Sequence, residues 1–207
     1  MSLFITFEGG EGCGKSVQAR ALYRRLLRSS IPALLTHEPG GTPPGKRIGR
    51  LLKWAHSEMS PLTELLLFNA SRAQLITEVI QPNLREGKVV ICDRYADSTI
   101  AYQSYGRGLD IKIVTAINNA ATQGLKPDLT ILLDMSVEDG LARKSSRKQD
   151  RFEQEDIAFH QRVRNGYLKL AASDPQRWLI IDATQPEEEI AQIIWKRVNQ
   201  ILSRQGD

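Results

Sequence analysis

The sequence predicts an α/β fold in which helices cover both faces of an open, parallel, five-stranded sheet. Short apolar runs alternate with longer helical patterns along all 207 residues, as in a doubly wound sheet. Several of the runs end in an acidic residue, and in such sheets ligands bind beside the carboxyl ends of the strands. We therefore expect the functional site at that edge of the sheet.

Each element follows from a local pattern. The predicted strands are LFITFE (3–8), ALLTHE (33–38), KVVICD (88–93), LTILLD (129–134) and WLIID (178–182). The predicted helices lie near 15–30, 44–55, 61–81, 111–123, 136–147, 153–172 and 186–203. Ser60 and Pro61 form a typical helix start, and Pro82 is expected to end or kink that helix. No repeat or linker-like tract interrupts the chain, so we expect one domain spanning 1–207.

The composition indicates a globular protein with an anionic ligand. Hydrophobic residues make up 41% of the chain and charged residues 25%, and the formal net charge of +4 suits a phosphate ligand. With only Cys13 and Cys92 present, we expect a reducing compartment and no disulfide. No signal peptide or membrane-spanning run is visible, so the expected location is the cytoplasm, without a membrane partner.

The segment FEGGEGCGKS (7–16) contains the phosphate-loop pattern G-x-x-x-x-G-K-[ST]. It follows a predicted strand and precedes a predicted helix, which disfavours a glycine-rich turn with an incidental lysine. Glycines let backbone N–H groups converge on phosphate oxygens, because any Cβ would block the approach or the left-handed dihedral angles. Lys15 would neutralise β/γ-phosphate charge, and the Ser16 hydroxyl would ligate Mg²⁺. The predicted ATP-binding residues are Gly9, Gly10, Glu11, Gly12, Cys13, Gly14, Lys15 and Ser16.

Four further segments make a specific resemblance visible. They are HEPGGTP (37–43), LLLFNASRAQL (65–75), DRYADSTIAYQ (93–103) and RKQDRFEQED (147–156). Together with the phosphate loop, they resemble the bacterial thymidylate kinases over essentially the whole chain. The resemblance implies a P-loop NTPase-type fold with a mobile lid at about 141–153. It also implies transfer of the γ-phosphoryl group of ATP to dTMP with Mg²⁺, giving dTDP and ADP, in a homodimer.

Phe68 and Arg72 are four residues apart and would project from one helix face. An aromatic plane and a guanidinium group there can stack a base and hold a nucleotide. From spacing alone, a core phenylalanine beside a solvated arginine is the simpler interpretation. The resemblance instead implies that Phe68 stacks on thymine and that Arg72 faces a base carbonyl.

Asp93 and Arg94 follow a predicted strand beside the phosphate loop. Arg94 would clamp the acceptor phosphate, and Asp93 would hold Mg²⁺ directly or through water. The alternative is a surface ion pair that caps the strand. The resemblance also places Ser98, Tyr102 and Gln103 around the deoxynucleotide, with Tyr102 disfavouring ribose and Gln103 reading the base edge. Ordinary helix packing is the alternative for all three.

Two carboxylates, Glu11 and Glu38, each have two possible roles. The resemblance assigns Glu11 to the sugar 3′-hydroxyl and the Mg²⁺ shell, whereas a solvent-facing side chain is the alternative. Glu38 ends a predicted strand before a forced turn, and it would position either Arg94 or the acceptor.

Arg143, Arg147 and Arg151 recur every four residues and would share one face if the segment is helical. A solvated basic face or a weak nucleic-acid patch is the usual meaning of such a run. Phosphoryl transfer gains from cations that move onto the reacting group, and the phosphate loop has no arginine. We therefore predict Arg147 and Arg151 as catalytic residues alongside Lys15 and Arg94. Glu153, which follows them in DRFE (150–153), contacts the metal shell or acceptor in one interpretation and starts a helix in the other.

The predicted mechanism needs no general base, because a phosphate acceptor is already largely dianionic at neutral pH. A deoxynucleoside kinase would need one, and Glu38 is the candidate. A GTPase switch would need N-K-x-D, which this sequence lacks. A nonenzymatic nucleotide-binding or nucleic-acid-binding module would transfer no phosphoryl group and would be retained on DNA in a salt-dependent way, but it leaves Lys15, Ser16 and Asp93 unexplained. We expect ATP and dTMP as partners, and no nucleic acid.

Overall fold

The computed structural model describes residues 2–54, 58–144 and 149–204. In these residues, five parallel strands form one sheet in the order β2-β3-β1-β4-β5. The strands are β1 (Leu3–Glu8), β2 (Ala33–His37), β3 (Val89–Asp93), β4 (Leu129–Asp134) and β5 (Trp178–Asp182). The five predicted strands are confirmed to within one residue at either end.

The central strand β1 lies between β3 and β4, with Ile5 opposite Ile91 on one side and Leu129 on the other. All six residues of β1 are buried, which explains the continuous apolar run. Since the strand order changes direction at β1, a crevice opens at the carboxyl ends of β1 and β3. Glu8 and Asp93 are the last residues of those two strands.

The helices in the described residues alternate with the strands. They are α1 (Lys15–Arg28), α2 (Pro43–Trp54), α3 (Pro61–Leu75), α4 (Gln81–Arg85), α5 (Ala96–Thr99), α6 (Ile111–Thr122), α7 (Val137–Ala142), α8 (Ile157–Ser173) and α9 (Glu187–Arg204). A π-helical segment, Ile76–Ile80, joins α3 to α4, and a second, Ile100–Gly106, continues α5.

The predicted start of α3 is observed, whereas helical structure does not stop at Pro82. Ser60 accepts a hydrogen bond from the Thr63 N–H at 3.2 Å, so the predicted start of α3 is confirmed. Helical structure nevertheless continues past Pro82 to Arg85. Pro82 stands in the first turn of α4, where no intrahelical N–H donor is needed.

Two predicted helices are too long, and one helical region is absent from the prediction. The helix predicted at 136–147 ends at Ala142, and the helix predicted at 153–172 begins at Ile157. Asp156 caps that start by accepting from the Phe159 N–H at 2.6 Å. The unpredicted region is Ala96–Gly106, where α5 and its π-helical continuation follow β3.

Hydrophobic clusters lie on both faces of the sheet. Ile5 belongs to a cluster with Leu22 of α1 and Ile194 of α9. Phe4, which points to the opposite face, belongs to a cluster with Ile76 in the segment after α3. The predicted α/β fold with helices on both faces is thus confirmed. Across the described ranges, none of the helices combines the length and apolar character that crossing a membrane requires.

Candidate active site

A cleft of about 780 Å³ opens at the carboxyl ends of β1 and β3. Its volume is in the range of small-molecule sites. The predicted site residues among those that line it are Glu11, Gly12, Gly14, Lys15, Ser16, Glu38, Phe68, Arg72, Asp93, Arg94, Ser98, Tyr102 and Gln103. The fold therefore brings most of the predicted residues together.

The phosphate loop wraps around the ammonium group of Lys15. Lys15 Nζ donates to the carbonyl oxygens of Gly9 at 3.1 Å and Gly10 at 2.6 Å, and lies 3.3 Å from Cys13 Sγ. Only 7% of Lys15 is exposed. The loop therefore holds a cation at its centre, at the start of α1, where the helix adds its own positive end.

Three glycines in the loop, Gly9, Gly12 and Gly14, are required by their positive φ, and a fourth, Gly10, is not. Gly12 has φ +71°, and a Cβ there would lie 1.9 Å from the Gly140 carbonyl oxygen. A Cβ on Gly9 would lie 2.4 Å from the carbonyl oxygen of Leu133. Gly10 has no positive φ, and nothing lies within 4 Å of an added Cβ. The protein atoms around Gly10 therefore leave room for a side chain.

Ser16 and Asp93 meet at the mouth of the phosphate loop. The Ser16 hydroxyl donates a hydrogen bond to the carboxylate of Asp93. A hydroxyl and a carboxylate oxygen are the hard ligands that Mg²⁺ prefers. In the ranges that the structure covers, no cluster of three or more His, Cys, Asp or Glu side chains could hold a metal. The two residues fit a cation that takes its remaining ligands from phosphates and water.

Arg94 is held at the centre of the cleft. Its φ is +68°, an unusual value for a non-glycine residue, and it turns the chain away from β3. The guanidinium group donates to Glu11 at 2.7 Å, Tyr102 at 3.1 Å, Tyr167 at 3.2 Å and the Gly9 carbonyl oxygen at 3.2 Å. Its side chain is only 18% exposed, so the interpretation as a surface ion pair is wrong.

Glu11 is enclosed rather than solvent-facing, which corrects the alternative interpretation. Its carboxylate accepts from Arg94, from the Tyr102 hydroxyl at 2.7 Å and from Lys144 Nζ at 2.7 Å. Burial alone would raise its pKa, but Arg94, Lys15 and Lys144 together hold the pKa well below its usual value. Glu11 is therefore a charged group among three cations.

The guanidinium group of Arg72 is fully buried, with 1% of the residue exposed, so the solvated-arginine interpretation is wrong. It donates to Glu38 at 2.6 and 2.9 Å, to Asn69 at 3.2 Å, to Asn118 at 2.9 Å and to the Tyr95 carbonyl oxygen at 3.0 Å. These acceptors use all five N–H groups of the side chain. A base carbonyl can bind Arg72 only by replacing one of them.

Glu38 therefore contacts Arg72, and not Arg94 as one of the two sequence interpretations has it. Burial raises the pKa of Glu38, and Arg72 partly offsets this. On the cleft side of α3, the ring of Phe68 lies 5.7 Å from that of Phe152, centroid to centroid.

Gln103 joins the cleft to a second buried carboxylate, Glu64. Gln103 Nε2 donates to Glu64 at 2.8 Å, and Arg107 Nε donates to the same oxygen at 3.2 Å. Arg151 also donates to Glu64, and its Nε donates to the Leu52 carbonyl oxygen at 3.1 Å. Arg151 is not among the residues that line the cleft.

The arginine repeat does not form one helix face, which corrects that expectation. Helix α7 ends at Ala142, Arg151 stands in a turn, and Arg147 lies outside the described residues. Arg143 lines the cleft and donates to the Ala183 carbonyl oxygen at 3.3 Å. The expected lid at 141–153 includes residues 145–148, which also lie outside the described part, so it stays a prediction.

Comparison with known proteins identifies the family. A family model for thymidylate kinase matches residues 7–194. A thymidylate kinase of Dehalococcoides mccartyi is 58% identical over 203 residues, covering 98% of both chains. The chain belongs to the thymidylate kinase family. A thymidylate kinase of Deinococcus radiodurans is 49% identical over 199 residues, 96% of this chain and 97% of the relative. The crystal structure of thymidylate kinase from Ehrlichia chaffeensis, 33% identical, covers 93% of this chain and 98% of that chain, with a TM-score of 0.75.

In this thymidylate kinase family member, several site residues escape the sequence interpretation. Glu8 is fully buried and accepts from the Tyr95 N–H at 2.8 Å, the Ser98 hydroxyl at 2.5 Å and the Tyr167 hydroxyl at 3.1 Å. Burial, and next the charge of Asp97, raise its pKa to about 7. Its position at the end of a strand was a usable signal. Tyr167, 159 residues further along, gave none.

Lys144 is a further residue that the sequence did not reveal. It donates to Glu11 and to Glu153, so it joins the phosphate-loop carboxylate to the segment after α7. Glu153 also accepts from the Asp150 N–H at 2.9 Å, and it lines the cleft. The basic run around Lys144 is a signal in the sequence, but the four-residue spacing of its arginines indicates Arg147 and Arg151 instead.

Proposed function

We propose that this protein transfers the γ-phosphoryl group of ATP to dTMP, giving dTDP and ADP. The observation that carries the proposal is a direct contact between the donor side of the cleft, formed by the phosphate loop, and the acceptor side, where Arg94 lies. Arg94, the predicted acceptor clamp, donates to the carbonyl oxygen of Gly9 in the phosphate loop at 3.2 Å. Two phosphate groups bound on either side of that contact would meet end to end. Membership of the thymidylate kinase family supports dTMP as the acceptor.

On the donor side, the phosphate loop would hold ATP and Lys15 would neutralise its β- and γ-phosphates. Ser16 and Asp93 would hold Mg²⁺ through their oxygens. When bound, Mg²⁺ supplies positive charge that offsets the charge developing on the phosphates. The hydrogen bonds from Lys15 to the carbonyl oxygens of Gly9 and Gly10 already hold its charge in place.

On the acceptor side, Arg94 would clamp the phosphate of dTMP, and Phe68 would stack on thymine. Tyr102, hydrogen-bonded to Glu11 at 2.7 Å, would stand beside the deoxyribose and disfavour a 2′-hydroxyl. Glu11 would face the 3′-hydroxyl. Ser98, bonded to Glu8, would support the same wall of the cleft.

No general base is required, because the attacking phosphate oxygen of dTMP is largely ionised at neutral pH. Both oxygens of Glu38 already accept hydrogen bonds from Arg72. A deoxynucleoside kinase that uses Glu38 as its base would have to break this pair, and the alternative is not favoured. Catalysis then comes from positioning and from charge neutralisation.

The proposal assigns the remaining cations as follows. Lys15 and Arg94 are the catalytic cations that the cleft already contains. Arg147 and Arg151 keep their proposed role in neutralising the transferring group. Arg151 would have to leave Glu64 to reach it. Lys144, which already contacts Glu11, is a further candidate.

A cytoplasmic homodimer remains part of the proposal. Leu51 of α2 and the pair Leu62 and Leu66 of α3 are 48%, 48% and 50% exposed, and these two helices pack on each other. Burial of such side chains in a partner subunit would stabilise a dimer. Sedimentation equilibrium should give about twice the chain mass of 23.2 kDa.

An acceptor panel tests the activity. With ATP and Mg²⁺, ADP release should be fastest with dTMP among dTMP, dCMP, dAMP, dGMP and thymidine, and it should stop when Mg²⁺ is chelated. Lys15→Ala should abolish turnover of every acceptor while leaving the protein folded. Turnover of thymidine without turnover of dTMP would overturn the proposal in favour of the nucleoside kinase. No turnover of any acceptor, with retention on DNA, would favour the binding module.

A further inference from the structure

Glu64 is a fully buried carboxylate that no step of the proposed reaction uses. It lies on α3 with 0% exposure, and it accepts from Gln103, Arg107 and Arg151. Two guanidinium groups compensate its charge, which makes a buried carboxylate tolerable. An ionised carboxylate accepts hydrogen bonds and cannot donate them.

This property of Glu64 determines how the amide of Gln103 is oriented. The two ends of a glutamine amide have nearly the same shape, but only the NH₂ end donates. Since Glu64 can only accept, Nε2 of Gln103 must face it, at 2.8 Å. Oε1, on the other branch of the amide, is then the end left for the cleft that Gln103 lines. Gln103 is 1% exposed, so it is packed in place.

The orientation of Gln103 matters because pyrimidines differ at N3. Thymine and uracil carry an N3–H donor, whereas the N3 of cytosine is an acceptor. A Gln103 oxygen fixed at the base edge can accept a hydrogen bond from N3–H of thymine or uracil. It cannot bond to N3 of cytosine, because both atoms are acceptors. Leaving buried polar groups unpaired is unfavourable. Arg72, the other polar group at the base, already has an acceptor for each N–H.

We propose that Glu64 is a positioning residue for base selection: it holds the Gln103 amide with Oε1 toward the base, so that the site accepts thymine or uracil and rejects cytosine. This inference rests on the proposed function, because the base concerned is that of the acceptor nucleotide. Glu64 acts through Gln103 and contacts no substrate itself. The class of ligand that it selects is a pyrimidine monophosphate with a proton on N3.

The test compares dTMP with dCMP in wild type and in Glu64→Gln. The substituted amide carries an NH₂ group. Its oxygen, in the place of Oε2, keeps the hydrogen bonds from Arg151 and from Arg107 Nη2, so its NH₂ takes the place of Oε1 and faces Gln103 and Arg107 Nε. The Gln103 amide can then flip and present a donor to the base. We expect the ratio of kcat/KM for dTMP over dCMP to fall at least about tenfold. An unchanged ratio would overturn the proposal.

Glu155→Gln is the matched control. Glu155 also pairs with Arg107, at 2.6 Å, but the bond that orients Gln103 comes from Glu64. The control should keep the wild-type ratio. An equal fall in both variants would show that the arginine network, and not the amide orientation, sets selectivity, and that result would also overturn the proposal.

A double variant separates orientation from general damage. Gln103→Met removes the amide, so adding Glu64→Gln to it should leave the dTMP/dCMP ratio where Gln103→Met alone puts it. A further change would mean that Glu64 acts by another route and would contradict the proposal. Circular dichroism melting checks that each variant is folded.

If Glu64→Gln does not fold, the wild-type protein still allows a test. Calorimetric binding should be at least about tenfold weaker for dCMP and for the N3-methyl derivative of dTMP than for dTMP. Equal binding of the three would overturn the inference. If dTMP is turned over but the dTMP/dCMP ratio of kcat/KM does not change in Glu64→Gln, only this inference is wrong. If no acceptor is turned over, the proposed function is wrong.

Discussion

The phosphate-loop half of the cleft and the base half are stabilised in different ways. In the loop, Lys15 is held by the carbonyls of Gly9 and Gly10, six and five residues away. In the base half, Arg72 is held by Glu38, 34 residues away, and Gln103 by Glu64, 39 residues away. The first half is built from local backbone and the second from carboxylates on other elements. Removing a charged side chain should therefore affect activity alone in the loop, and stability as well in the base half.

The largest effect is expected for Lys15→Met, which tests the loop half. The change keeps the apolar stem but removes the charge on the transferring phosphoryl group. We expect kcat to fall by at least about 10³-fold, the lower end of what such a cation contributes. The free energy of unfolding should change by less than about 1 kcal/mol, because the variant loses two hydrogen bonds but no longer buries an ammonium group. Steady-state kinetics and urea unfolding measure the two quantities.

Lys126→Met, at an exposed position away from the cleft, is the control and should leave both quantities unchanged. A Lys15→Met variant that unfolds at low urea would contradict the comparison. It would mean that the loop depends on this cation for its structure.

Glu38→Ala tests the base half and should act mainly on stability. It leaves the guanidinium group of Arg72, 1% exposed, without its compensating charge. Removing one partner of a buried ion pair destabilises a protein by about 3 to 5 kcal/mol. Urea unfolding should show this loss. Glu86→Ala, which breaks an exposed pair with Lys88, is the control and should cost less than about 1 kcal/mol.

A loss below about 1 kcal/mol in Glu38→Ala would show that Arg72 turns into the cleft and becomes hydrated. The base half would then be adaptable rather than fixed by its carboxylates. The same variant separates the two kinase hypotheses, since a base would be lost for thymidine and not for dTMP.

The same difference between the halves explains what the sequence could predict. The five strands and the phosphate loop depend on local patterns, namely apolar runs and a glycine spacing, and both were recognised from the sequence. The helical region Ala96–Gly106 was missed because Thr99 and Ile100 are β-branched and its helical form is stabilised by packing on α8.

Long-range partners were beyond the reach of sequence patterns. A four-residue spacing placed Phe68 and Arg72 on one face but could not distinguish a solvated arginine from one that is buried against Glu38. Nothing in the sequence connects Gln103 with Glu64, or Glu11 with Lys144. These pairs form only when segments that are distant in the sequence pack around the cleft.

Glu8, the residue before Gly9, should make the stability of the protein depend on pH. Its pKa in the folded state, about 7, lies above its ordinary value of 4.5, chiefly because of burial. The folded state therefore binds the proton more tightly than the unfolded state does. The resulting stabilisation is complete below about pH 4.5 and is lost as the pH rises through about 7.

Glu8→Gln cannot titrate at this position. The stability of wild type relative to Glu8→Gln should therefore fall between pH 4.5 and 8, by at most about 3 kcal/mol. Urea unfolding at several pH values measures this difference. Parallel stability curves for the two proteins would contradict the expected proton uptake and would mean that Glu8 is ionised throughout.

The smallest effect is expected within the loop itself, for Gly10→Ala. Gly10 has no positive φ, no atom lies within 4 Å of an added Cβ, and the residue does not line the cleft. Alanine also restricts the unfolded chain, so the free energy of unfolding should rise by up to about 1 kcal/mol, with kcat unchanged. Gly12→Ala is the matched control: its Cβ would lie 1.9 Å from the Gly140 carbonyl oxygen, so it should lose activity and stability together. A Gly10→Ala variant as damaged as Gly12→Ala would show that the phosphate loop requires glycine at position 10 as well.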